Sequence, residues 1–272
     1  MMSEEKVQYA FIDSGVGGLP YLKYLREREP SARAVYVADT ANFPYGWKTT
    51  EELDKIAVEL VRKILLRFSP EIVVLACNTL SVAALEVLRN NFSLPFVGTV
   101  PAVKVAAERT KAKKCVLIAS EKAVHDKYTK NLIEKFSSPE KFILKAEQDL
   151  IAQVEAGLLF ESDKKKEDAV KPIIDFCVSN DADCLVLACT HFLLIENVFK
   201  KVAGKKVQVI ESLNGVVEQT LKLAPVKKMQ NANKKNLDGK AFFYVTKKCS
   251  AEEKERYCKI AKYYNLTFGD NL

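Results

Sequence analysis

Short aliphatic runs alternate with amphipathic helical stretches along almost all of this chain, a pattern that points to α/β architecture with a mostly parallel sheet. Strands are expected at 7–12, 34–38, 72–76 and 95–98, and in a second set at 115–119, 141–145, 184–188 and 207–210. Runs of four to six mainly aliphatic residues fit strands buried on both faces, because helices cover each side of such a sheet. The clearest helix lies between the second and third strands. Thr49 and Glu52 form a capping-box pattern, and Leu53, Ile56, Ala57, Leu60, Val61, Ile64, Leu65 and Phe68 keep the helical period. Residues 225–240 carry few apolar side chains and read as a loop. AFFYVT (241–246) reads as a late strand, with a helix from about Ala251.

At 272 residues, 48% of them hydrophobic and 28% charged, the chain can bury one large core or two ordinary ones and does not read as disordered. No apolar run approaches the ~18 residues of a transmembrane helix. The opening MMSEEKVQYA lacks the charged-then-apolar layout of a signal peptide. Seven cysteines, an odd number at irregular spacing, do not make a disulfide framework. The expectation is a cytoplasmic protein with reduced thiols and no membrane association. The net charge of +7 is concentrated: residues 200–250 hold twelve lysines, no arginine, and only Glu211, Glu218 and Asp238 as acids. Without arginine for bidentate base contacts or aromatics between the lysines, this stretch reads as a solvated face and argues against nucleic-acid binding.

The chain echoes itself. VVLACNTL (73–80) resembles LVLACTHF (185–192), and FIDS (11–14) has a fainter counterpart in LIAS (117–120), which suggests two similar α/β units. Both Ala-Cys pairs fall just past the carboxyl end of an expected strand, the edge at which open parallel sheets bind ligands. Asp13-Ser14-Gly15 follows a strand in the same way. Cys77-Asn78-Thr79 and Cys189-Thr190-His191 each set a thiol beside hydrogen-bond donors. A thiol is a base only as thiolate, a form that a nearby imidazole or helix N-terminus favours. The other cysteines, Cys115, Cys177, Cys184, Cys249 and Cys258, read as small buried hydrophobes. Cys184, Cys189 and His191 have loose zinc spacing, but the intervening Leu-Val-Leu-Ala is strand-like and an offset of five sends the two thiols to opposite faces. No metal is expected. The glycines after Asp13 miss the G-x-G-x-x-G pattern because Pro20 occupies its last position, so a tight strand-to-helix turn is the better reading. His125, among Lys122, Asp126 and Lys127, reads as part of a solvated helix face.

Taken together, FIDSGVGGL (11–19), YVADTANFPYG (36–46), LACNTLSVAAL (75–85), PFVGTVPAV (95–103), VEAG (154–157) and LVLACTH (185–191) resemble the glutamate racemases of the aspartate/glutamate racemase superfamily. FYVT (243–246) fits that family's final segment. The resemblance implies two similar α/β domains with mostly parallel sheets flanked by helices, residues 1–99 plus 209–272 and residues 100–208, with the active site in the cleft between them. It makes Cys77 and Cys189 the two acid/bases, the first deprotonating D-glutamate and the second L-glutamate. Asp13 would assist Cys77, and His191 would assist Cys189 with Glu155 nearby. Asp13, Ser14, Tyr45, Gly46, Asn78, Thr79, Thr190 and His191 match substrate-binding positions. A homodimer is implied, and no cofactor.

That assignment is chemically coherent. Inverting Cα requires removing a proton from one face and delivering one to the other, which two thiols accomplish without either moving round the substrate. With no pyridoxal phosphate, hydrogen-bond donors around the carboxylate must carry the developing charge. The implied role is supply of D-glutamate for peptidoglycan, hence cell-wall biogenesis and cell shape. The chain departs from the family pattern at Ala123, Phe192, Leu193 and Trp47, and Glu211-Ser212-Leu213 replaces an Asp-Ser-Gly. None of these removes a catalytic residue. Two rival readings are a racemase of another acidic amino acid such as aspartate, and a non-catalytic amino-acid-binding regulatory relative. Retention of both thiols argues against the latter, since binding alone needs no thiol on each face.

Overall fold

Aliphatic runs and helical stretches fold as their alternation requires. The computed structural model describes residues 6–112, 114–226 and 239–272, and the chain divides into two units, Met1–Thr99 with Leu213–Leu272, and Val100–Ser212. In the first unit, β1 (Tyr9–Asp13), β2 (Ala34–Ala38), β3 (Ile72–Leu75) and β4 (Phe96–Gly98) form the start of a sheet. The second unit holds β5 (Cys115–Ala119), β6 (Phe142–Ala146), β7 (Cys184–Leu187) and β8 (Gln208–Ile210). The chain then returns to the first unit for β9 (Ala241–Val245) and β10 (Thr267–Asn271). Every strand pairing among the described residues is parallel.

Sheet order is β10-β9-β2-β1-β3-β4 in the first unit and β6-β5-β7-β8 in the second. The run β2-β1-β3-β4 therefore repeats as β6-β5-β7-β8, the structural form of the echo between the two Ala-Cys motifs. In both units the chain leaves a central strand for one neighbour and then crosses to the other side. The resulting topological switch point, at the carboxyl ends of β1 and β3 and again of β5 and β7, is where such sheets bind ligands.

Strands β1, β2, β3, β5 and β7 are buried at every residue, as helices on both faces demand, while the edge strands β6, β8 and β10 are partly exposed. The helix Thr50–Phe68 starts at the expected capping box: Thr49 N donates to Glu52 Oε2 at 2.7 Å, and Glu52 N to Thr49 Oγ1 at 3.2 Å. Its buried stripe, Leu53, Ala57, Leu60, Val61, Ile64 and Phe68, joins Val73, Leu75 and Leu80 in the core of the first unit. β8 pairs with β7, and residues 208–210 fall within the unit Val100–Ser212.

Two cysteine expectations need correction. Cys115, Cys177 and Cys184 are buried, but Cys249 is only partly so and Cys258 is exposed, on the outward face of the helix Ala251–Tyr263. Within the expected loop 225–240, residues 227–238 lie outside the described residues. Several lysines of the basic stretch pair with acids at the surface, Lys201 with Glu167 at 2.6 Å and Lys247 with Glu253 at 3.2 Å. Among the described residues no helix is long and apolar enough to cross a membrane.

Gly18 is fixed by close approach. A Cβ on Gly18, at the start of the helix Leu19–Arg28, would sit 2.5 Å from both the Cβ and the carbonyl oxygen of Ala76. Gly18→Ala is expected to destabilise the protein by about 1–3 kcal/mol through overpacking against the β3 end. A urea midpoint that falls with an unchanged m-value is the expected reading, and an unshifted midpoint refutes it.

Candidate active site

In the first unit the polar residues gather where β1, β2 and β3 end. Asp13 is the last residue of β1 and is fully buried. The amide of Ser14 donates to its Oδ1 at 2.6 Å. Tyr36, from β2, pins the turn that follows: its hydroxyl donates to the Gly15 carbonyl at 2.8 Å and accepts from the Gly18 amide at 2.9 Å. The same hydroxyl stands 3.5 Å from Asp13 Oδ2. One phenol thus ties the Asp13-Ser14 turn to the neighbouring strand.

Cys77 lies two residues beyond β3, in extended conformation at the N-cap of the helix Asn78–Asn91. It is 6% exposed. Asn78 and Thr79 open that helix, and the first turn of a helix is in general suited to a carboxylate. Asn78 Oδ1 is buried with no hydrogen-bond partner among the described residues, an acceptor suited to an ammonium. Tyr45 and Gly46 sit in a short 3-10 helix, Tyr45–Trp47, and the Tyr45 ring packs in the same apolar cluster as Cys77. The Tyr45 hydroxyl donates to Asp39 Oδ2 at 2.7 Å. Burial, then the Asp39 carboxylate, and more weakly Cys77 and Asp13, push the phenol well above its usual range, so it stays protonated and donating.

The second unit builds a different arrangement at the matching strand end. Cys189 lies two residues beyond β7, at the N-cap of the 3-10 helix Thr190–Ile195, and is partly exposed. His191 Nδ1 is 3.8 Å from Cys189 Sγ, and His191 Nε2 is 3.0 Å from Glu155 Oε2, at the end of the helix Gln148–Glu155. His191 and Glu155 are both buried, at 2% and 7% exposure. Burial alone disfavours a charged imidazole. The hydrogen bonds and charges of Cys189 and Glu155 outweigh it and raise the His191 pKa well above the usual histidine value. A protonated His191 donates from both nitrogens, to the sulfur and to the carboxylate, giving a Cys–His–Glu chain. Thr190 beside it is buried.

Asp13, Ser14, Tyr45, Gly46, Cys77, Asn78 and Thr79 therefore fall in one cluster, and Glu155, Cys189, Thr190 and His191 in the other. Three residues of the first cluster escape sequence reasoning: Tyr36, Asp39 and Thr246. All lie within the resembling stretches 36–46 and 243–246. Asp39 follows an aliphatic strand as Asp13 does, which is a usable signal. Of the departures, Phe192 and Leu193 are buried in the second unit, Phe192 edge-on to Phe199 at 6.1 Å. Ala123 is the residue whose amide is capped by Ser120 Oγ, and Trp47 is 67% exposed. His125 is exposed, 3.0 Å from Glu121.

The Asp/Glu/hydantoin racemase family model matches residues 21–220. A glutamate racemase of Treponema pallidum is 40% identical over 269 residues, covering 98% of this chain and 97% of that protein. A glutamate racemase of Brucella anthropi is 37% identical over 214 residues, 78% of this chain and 77% of that protein. Among solved structures, Escherichia coli glutamate racemase in complex with L-glutamate and the activator UDP-MurNAc-Ala superposes with TM-score 0.84 at 28% identity, covering 98% of each chain. Isoform RacE1 from Bacillus anthracis superposes with TM-score 0.75 at 25% identity, covering 98% of this chain and 97% of that one.

Proposed function

The chain belongs to the Asp/Glu/hydantoin racemase family, and from that premise we propose that it interconverts L- and D-glutamate by two-thiol proton transfer at Cα. The observation that carries this reading is the placement of a thiol at the same point of both repeats, Cys77 beyond β3 and Cys189 beyond β7. A binding protein has no use for two such thiols.

One thiolate takes the Cα proton and the opposite thiol gives its own to the other face of the carbanion. The enzyme is left with the roles reversed, ready for the other enantiomer. Cys77 serves D-glutamate and Cys189 serves L-glutamate. Asp13, held at the end of β1, assists Cys77. His191, protonated and anchored by Glu155, steadies negative charge at the Cys189 sulfur. Asn78, Thr79, Ser14, Thr190 and the amides of the Tyr45-Gly46 turn bind the substrate's ammonium and carboxylates, and so carry the developing charge without a cofactor. We assign it a cytoplasmic role as a homodimer, supplying D-glutamate for peptidoglycan. Glutamate is preferred to aspartate because glutamate racemases match this chain over nearly its whole length.

Purified protein, freed of pyridoxal phosphate and treated with chelator, is expected to racemise both enantiomers of glutamate and to act far more slowly on aspartate. Circular dichroism of the amino acid follows the reaction. The free-enzyme pH profile is expected to be a bell, its limbs belonging to the coupled thiol pair. Activity that needs an added metal or pyridoxal phosphate, or a preference for aspartate, refutes the proposal.

A further inference from the structure

Asp39 is a buried carboxylate, 2% exposed, one residue past the end of β2. A carboxylate in such a place persists only if donors surround it. Here three side chains do so. Tyr45 Oη donates to Oδ2 at 2.7 Å, Thr246 Oγ1 to Oδ1 at 2.6 Å, and Asn42 Nδ2 lies within 3.1 Å of both oxygens. The Asp39 amide donates to the Asp13 carbonyl at 2.7 Å, so the same residue is bonded directly to the backbone of the strand that ends in Asp13. Thr246, just beyond β9, closes the far side: its Oγ1 accepts from the Ala41 amide at 3.0 Å, and its own amide donates to the Ala38 carbonyl at 3.1 Å.

This network changes what Tyr45 can do. Its hydroxyl is engaged by Asp39, and its ring is buried in the cluster that contains Cys77, Leu53 and Leu80. What the segment presents is therefore its backbone, the first turn of the 3-10 helix Tyr45–Trp47, which has no side-chain cap. Peptide N–H groups at the start of a helical turn suit a carboxylate. They are useful only if the turn stands still.

We propose that Asp39 is a positioning residue for substrate binding: through Tyr45 it fixes the Tyr45-Gly46 turn beside Asp13 and Cys77, and through Thr246 it fastens that turn to the C-terminal segment. The proposal rests on the racemase reading, and it assigns Asp39 to affinity, leaving proton transfer to the thiols. A turn that samples its competent position only part of the time raises the apparent dissociation constant by the inverse of that fraction.

The test compares Asp39→Ala, Asp39→Asn, Tyr45→Phe and the Asp39→Ala/Tyr45→Phe double variant with the parent. KM and kcat come from racemisation and the D-glutamate dissociation constant from calorimetry. The anisotropy of Trp47, the chain's single tryptophan and the residue next to Gly46, reports the mobility of the turn. Tyr45→Phe and Asp39→Ala are expected to raise KM and the dissociation constant about tenfold or more, with kcat within about threefold of the parent. Trp47 anisotropy is expected to fall. Asp39→Asn, which keeps one acceptor oxygen for Thr246 and Asn42, should lie between Asp39→Ala and the parent. The double variant should bind no worse than Asp39→Ala, because the two residues act through one bond. A merely structural role instead lowers the folded fraction, hence apparent kcat and melting temperature, and leaves KM unmoved. If Asp39→Ala does not fold, Tyr45→Phe and Asp39→Asn decide the matter. KM, dissociation constant and anisotropy all unchanged in those two variants overturn the proposal. A parent that fails to racemise glutamate overturns the racemase reading, and Trp47 anisotropy then still decides whether Asp39 holds the turn.

Discussion

Cys77→Ser and Cys189→Ser each lower racemisation by about 10²–10⁴-fold or more, in both directions, because every turnover needs a base on one face and an acid on the other. Two enantiomers have equal free energy, so kcat/KM must fall equally for L- and D-glutamate, and racemisation alone cannot reveal which thiol serves which face. A glutamate analogue with a leaving group on Cβ separates them. Removing its Cα proton expels the leaving group, and that half-reaction uses one base without an opposing acid. Cys77→Ser is expected to eliminate from the L-analogue through Cys189, and Cys189→Ser from the D-analogue through Cys77. Serine keeps the side-chain shape, so both strand ends should stay intact by circular dichroism. If a folded variant keeps substantial racemisation, its cysteine is packing and the two-base assignment fails.

The buried Cys189–His191–Glu155 chain carries the second large effect. Glu155→Gln removes the charge partner of an imidazole that is 2% exposed. Breaking a buried pair by removing one partner costs about 3–5 kcal/mol, since the remaining charge loses its compensation. The pH dependence follows in sign. The folded His191 pKa is raised above its unfolded value, so the stability it contributes is fully present below about pH 6.5 and is lost as pH rises through the folded value. In the parent, stability from this group therefore declines on the alkaline side. In Glu155→Gln that decline is expected to begin at the same pH but to end at lower pH and to be smaller, because neutral glutamine no longer favours the imidazolium. Urea unfolding at a series of pH values measures both effects. A Glu155→Gln curve parallel to the parent's across the alkaline range rules out this ion pair as the cause of the raised pKa.

Much of this architecture can be read from the amino-acid order because its causes are local. Strands β2 and β5 occupy the aliphatic runs 34–38 and 115–119, and the Thr49/Glu52 box starts its helix where two side chains and two amides meet within one turn. The echo between VVLACNTL and LVLACTHF falls on β3 and β7, which hold equivalent places in the two matching strand orders. β10 (Thr267–Asn271) is not legible in this way. TFGDN has no aliphatic run, its Asp270 has positive φ, and it is a strand because it lies along β9, where a Cβ on Gly269 would come within 2.2 Å of the Tyr244 ring.

Local pattern in the chain is enough to single out two thiols, Asp13 and His191 as candidates for chemistry, each at or just past the end of an aliphatic run, where a parallel sheet exposes its ligand-binding edge. Tertiary structure alone decided how those groups are held. Glu155 reaches His191 across 36 positions, Thr246 reaches Asp39 across 207, and Tyr36 crosses from β2 to the turn after β1. Such contacts have no local pattern, because a hydrogen bond between distant residues leaves no periodicity in the chain. The protonation of His191 is decided there too: it follows from burial set against two neighbours that only the fold brings within reach.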